Sequence, residues 1–110
     1  MTLPDTEETD VQGIILKYLE LRQIRAWRAN AGMFKRGGHW IHGAPEGTPD
    51  IVGYLRDARF LGIECKRERG SIKTGAAQIE FAADLNACGG VGIITRTLRD
   101  VERRLDAERA

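Results

Sequence analysis

Apolar residues recur along this chain with two periods. Val11, Ile14, Ile15, Tyr18 and Leu19 fall at i, i+3, i+4, i+7 and i+8, which predicts a helix over residues 6–22 with Asp5 as N-cap and Pro4 just outside it. Residues 23–29 read as a first strand, with Trp27 expected in the core. Residues 51–55 and 60–66 read as two further strands, joined by the polar turn Arg56-Asp57-Ala58-Arg59. A second helix is predicted over 76–88, stopped by Gly89-Gly90, with Phe81, Ala82 and Leu85 inward. Val91–Thr95 reads as a central strand. A last helix is predicted over 97–108, capped by Thr97 and turning Leu98, Val101 and Leu105 inward. A hairpin followed by a helical crossover implies an α/β fold, a mixed sheet flanked by helices.

The pattern breaks in one place. Alternate strand residues face opposite sides, so Glu64 and Lys66 share one face while Ile63 and Cys65 share the other. Asp50 stands at the mouth of the preceding strand. Ionised groups in an apolar run need a partner, a metal or water. One account is a surface salt bridge from Glu64 to Lys66 or Arg67, worth ~0–1 kcal/mol. The other is chemical. Carboxylates on adjacent strands form a hard oxygen site suited to Mg²⁺ or Mn²⁺, which the Cys65 carbonyl could complete. A lysine held charged beside them can orient water or stabilise charge growing on a phosphate. Those are the parts needed to hydrolyse a phosphodiester.

Two more polar residues fall on inward helical faces. Glu8 aligns with Val11 and Ile15, and either forms a capping box with Asp5 or reaches toward the acids. Gln78 aligns with Phe81 and Ala82, and is either a core-edge glutamine bonded to backbone or a site residue.

Residues 33–47 form the longest irregular stretch, rich in glycine and carrying Lys35, Arg36, His39, Trp40 and His42. Basic and aromatic side chains together suit phosphate contacts and base packing. A mobile loop or a short hairpin covering the core edge is the alternative. The histidines lack further ligands at zinc spacing and read as a surface pair.

Composition narrows the classes. At 110 residues, 42% hydrophobic and 30% charged, the chain has room for one domain and one core, residues 1–110. No apolar run approaches the ~20 residues needed to span a bilayer. The acidic N-terminus lacks signal-peptide character, so a cytoplasmic, intracellular protein without a membrane partner is expected. Cys65 and Cys88 form no CxxC or metal knuckle and read as small buried hydrophobes. The net charge is only +1, but Lys35, Arg36, Lys66, Arg67, Arg69 and Lys73 flank the central strands. That belt is either a polyanion footprint or a solvated rim.

Taken in order, the residues resemble a family. Pro49-Asp50 followed by Glu64-Cys65-Lys66 resembles the PD-(D/E)XK nuclease signature. Glu8 with Gln12, Trp27-Arg28 with Asn30 and Gly32, Gly47-Thr48-Pro49-Asp50, Ile63-Glu64-Cys65-Lys66 and Gln78 look like its VRR-NUC branch. The resemblance covers nearly the whole chain. It implies a restriction-endonuclease-like core, in order αβββαβ plus a C-terminal helix. It also implies a Mg²⁺- or Mn²⁺-dependent DNA endonuclease of the stand-alone viral or bacterial type. Asp50, Glu64 and the Cys65 carbonyl would be metal ligands, Lys66 the catalytic lysine, and Gln78 a residue positioning water, lysine or phosphate. Glu8 would reach the metal directly or through water. Stand-alone members look like junction-resolving enzymes, so a homodimer acting on branched DNA such as four-way Holliday junctions is expected. Lys35, Arg36, Arg67, Arg69 and Lys73 are the candidate DNA contacts from the basic belt; the family assigns no role to the stretch between Gly32 and Gly47. The alternatives are a non-catalytic nucleic-acid-binding module, or a flap or restriction-type nuclease.

Overall fold

The stripe of residues 11–19 forms the helix its spacing predicts. In the computed structural model, which describes residues 8–29, 33–66 and 75–110, helix α1 spans Glu8–Leu21 and buries Val11, Ile15 and Leu19. Strands β1 (Arg25–Arg28), β2 (Met33–Arg36), β3 (His39–His42), β4 (Ile51–Tyr54) and β5 (Phe60–Cys65) follow. Then come α2 (Ala76–Ala87), β6 (Val91–Thr95) and α3 (Leu98–Ala107). The predicted N-cap of the first helix, Asp5, and Pro4 before it lie outside the described residues.

The main sheet runs β1-β4-β5-β6. β4 pairs antiparallel with β1 and β5, and α2 carries the chain across to β6, which lies parallel to β5. The fold is therefore α/β, a mixed sheet with three helices. On one face, Ile51, Leu61, Ile63, Cys65, Val91 and Ile93 pack with the apolar stripes of α1 and α3. Thr97 caps α3 as predicted, its side chain accepting the Asp100 N–H. Helix α2 lies on the other face, over β5 and β6. No helix among the described residues is long and apolar enough to cross a membrane.

Four expectations are corrected. Residues 33–47 are not one irregular loop. They hold the separate hairpin β2–β3, so the order is αβββββαβα rather than αβββαβ with a last helix. The cause is Gly37-Gly38, whose φ values of 58° and 81° suit the tight type I′ turn that matches strand twist. Second, β6 is an edge strand. Its apolar run reflects helices on both faces rather than strands on both sides. Its outer edge is closed by the Asn86 side chain, which accepts the Gly92 N–H (2.9 Å) and donates to the Gly92 carbonyl (3.1 Å). Arg104 braces the same pair. At Gly92 an amide thus stands in for a neighbouring strand.

Third, Trp27 is 52% exposed. It shares the α2-side face of the sheet with Tyr54 and Phe60, where α2 does not reach across to β1 and β4. Fourth, Cys88 is exposed at the end of α2, while Cys65 is buried as expected. The first strand is also shorter than 23–29, because Gln23 takes a left-handed φ of 60° to leave α1.

Candidate functional site

Pairing of β4 with β5 sets Ile51 opposite Ile63, so Asp50, one residue before β4, meets Glu64 and Cys65. The two acids hold each other through backbone. The Cys65 N–H donates to Asp50 Oδ2 at 2.9 Å, and the Asp50 N–H donates to Glu64 Oε1 at 3.2 Å. The second Glu64 oxygen receives Lys66 Nζ at 3.2 Å. The lysine's own backbone is tied down, its N–H donating to the Thr95 carbonyl at 2.7 Å. Asp50 is also fixed from behind by the Ala29 N–H, which donates to its carbonyl at 2.9 Å.

β5 lies between β4 and β6, so Glu64 sits in a central strand and is only 6% exposed. Burial pushes its carboxyl above the ordinary value of 4.5, and the Asp50 carboxylate pushes it further. The Lys66 ammonium pulls the other way through its hydrogen bond and charge. A surface salt bridge does not describe this pair. It is a buried acid pressed by a second acid and partly compensated by one cation.

Such a set fits a divalent cation. Two hard carboxylates repelling each other in a desolvated place are relieved by added positive charge. No three His, Cys, Asp or Glu side chains converge as a ready-made metal group among the described residues. The acidic donors at hand there are Asp50 and Glu64.

The remaining candidates divide. Gln78 is half-buried on the first turn of α2, and its Oε1 folds back over Gly75 at the mouth of that helix. The groups acting most on Glu64 are Asp50 and Lys66. Glu8 is the first residue of α1, and the proposed reach of its carboxylate lies outside the described side chains. Arg67, Arg69 and Lys73 lie outside the described residues. Lys35 and Arg36 are exposed on β2, away from the acids' hydrogen bonds, and His39 is exposed on β3.

The resemblance quoted Gln12 and Arg28, but reading the chain alone foresaw no contact between them, and it missed Thr95. Arg28 Nη1 donates to Gln12 Oε1 at 2.5 Å, joining α1 to the strand that ends beside Asp50. Thr95 is buried, and besides holding Lys66 its hydroxyl accepts the Thr97 N–H at 3.0 Å. A threonine closing an apolar strand was the available signal. The turn before Asp50 is fastened too. The Thr48 N–H and hydroxyl both donate to the Pro45 carbonyl, at 3.1 and 2.5 Å. Gly47, at φ 87°, lies so close to α2 that a Cβ there would meet the Ala77 carbonyl oxygen at 2.7 Å.

No family model, no curated protein and no solved structure matches this chain. The likeness to the VRR-NUC nucleases rests on the residues quoted above.

Proposed function

We propose that this chain is a metal-dependent DNA endonuclease with a restriction-endonuclease-like core. The observation that carries the reading is the interlocked pair, Asp50 on the Cys65 N–H and Glu64 on the Asp50 N–H, with Lys66 on the free Glu64 oxygen. Asp50 and Glu64 would hold Mg²⁺ or Mn²⁺, which when bound lowers the pKa of water and polarises a phosphoryl oxygen. The chain's own part is positioning. Backbone N–H groups fix one oxygen of each acid, which sets the two carboxylates side by side. Lys66 sets its Nζ beside the acids, suited to a phosphate oxygen or to orienting water. Gln78 and Glu8 are assigned to the site by family likeness.

Within this reading the preferred substrate is a four-way junction, cut by a homodimer whose two-fold axis matches paired incisions. The test is cleavage of labelled duplex, flap and four-way junction DNA with Mg²⁺, Mn²⁺ or EDTA, by wild type, Asp50→Asn and Lys66→Ala. Cutting should require metal and fall by at least about 100-fold in each variant, in line with the weight of electrostatic catalytic groups. Cutting that survives EDTA or both substitutions sinks the mechanism. Binding without cutting in any metal points to a non-catalytic module. A monomeric mass by light scattering at micromolar concentration removes the dimer.

A further inference from the structure

The hairpin β2–β3 contributes none of its described side chains to the core. It is a separate two-stranded sheet in which Lys35 pairs with Trp40 and Arg36 with His39. Every side chain described on it is exposed, with Trp40 at 64%. An isolated two-stranded hairpin is marginal in water, so this one has no stability reason to display a large aromatic. Its tip is stiff, because Gly37 and Gly38 close it in two residues with both φ values positive. The chain is fastened on either side of the hairpin. The Ala29 N–H binds the Asp50 carbonyl before the hairpin, and the Pro45–Thr48 turn closes after it.

Charge selects the occupant. From Leu21 to Pro45 the chain holds Arg22, Arg25, Arg28, Lys35 and Arg36 and not one Asp or Glu. On the hairpin Lys35 Nζ lies 6.0 Å from the centre of the Trp40 ring, which holds the ammonium on the outer surface. A surface that is cationic and aromatic, with no acid, complements a polyanion. The shape selects further. The B-form major groove, roughly 12 Å wide, admits a two-stranded β-ribbon, whereas the narrow deep major groove of A-form RNA does not.

We propose that β2–β3 is an arm that enters the major groove of duplex DNA. Lys35 and Arg36 grip phosphates along the groove walls and Trp40 packs against the groove surface. The proposal rests on the nucleic-acid part of the reading above, and not on cleavage. The arm lies in the chain between β1 and β4, the two strands that the Ala29 N–H and the Asp50 carbonyl join.

The test is binding in EDTA, with no cutting read. Fluorescence anisotropy with a labelled duplex is measured across a salt series for wild type, Lys35→Ala/Arg36→Ala and Trp40→Ala, with circular dichroism as the folding control. The double variant should bind roughly 10- to 100-fold more weakly and lose about 0.9 of salt slope per phosphate contact removed. Wild type should protect guanine N7, which faces the major groove, from dimethyl sulfate, and Trp40→Ala should lose that protection. Affinity within twofold of wild type with an unchanged salt slope overturns the proposal. So does N7 protection that is absent in wild type or persists in Trp40→Ala. A change from dimer to monomer in Trp40→Ala, with DNA affinity intact, overturns it in favour of a contact between copies. If the nuclease reading fails but these losses occur, the arm stands.

Discussion

The chain builds two antiparallel hairpins in succession and uses them in opposite ways. β4–β5 is the centre of the molecule, with Ile51, Leu61 and Ile63 fully buried and its charges locked in mutual hydrogen bonds. β2–β3 pairs only with itself and leaves Lys35, Arg36, His39 and Trp40 in solvent. Both alternate residues with period two. What differs is the second layer. Helices α1 and α3 cover the apolar face of β4–β5, while every described side chain of the arm is exposed. The central hairpin turns core stability into fixed carboxylate geometry. The described side chains of the arm stand outside the core, which is what the proposed contact with DNA needs.

The largest test of that contrast is truncation in the centre. Ile63→Ala should lower the unfolding free energy by about 2–5 kcal/mol, because it opens a cavity under α1 and α3. Denaturant titration reads it, and a loss as small as that of an arm variant would dissolve the contrast. Next is Gly47→Ala, at the junction of the two hairpins. The left-handed φ alone costs roughly 1–2 kcal/mol. The contact at 2.7 Å with the Ala77 carbonyl adds to it, since backbone cannot yield cheaply. Thermal unfolding should therefore show a larger loss than strain alone predicts.

Glu64→Gln tests the electrostatics. A carboxyl whose folded pKa is raised binds protons more tightly when folded, so wild-type stability should fall as pH rises from the ordinary 4.5 through the raised folded value. The glutamine lacks that titration, so its stability relative to wild type should improve across the same window. Parallel pH curves for the two proteins would refute the burial-driven shift. The smallest effect is expected at Trp40. Trp40→Ala should change stability by no more than about 0.5 kcal/mol, as for an exposed side chain outside the core. A larger loss would mean that the arm leans on the body.

The acids and lysine were legible because they contradicted their surroundings. Glu64 and Lys66 interrupt an apolar strand, and period two put them together on one side. The helical stripes and the Thr97 cap were legible for the complementary reason, since each obeys a local rule. Trp27 misled because composition says that tryptophan is buried on average, while its exposure depends on how far α2 reaches across the sheet. β6 misled because two covering helices produce the same apolar run as two neighbouring strands. The arm was half legible. Gly37-Gly38 is a hairpin signal, but the surrounding polar and aromatic mixture has no apolar alternation to declare its strands.

By itself the sequence determined what depends on near neighbours along the chain: the three helices, the strands of the main sheet, where α3 begins, and that Asp50, Glu64 and Lys66 are out of place. Only the tertiary structure decided what depends on pairing between distant segments. That includes the register that brings the Cys65 N–H to Asp50, the Thr95 carbonyl that holds Lys66, and the closing of β6 by Asn86. The physical reason is that hydrogen-bond partners and burial are properties of space, and a chain's spacing specifies them only within a few turns or one hairpin.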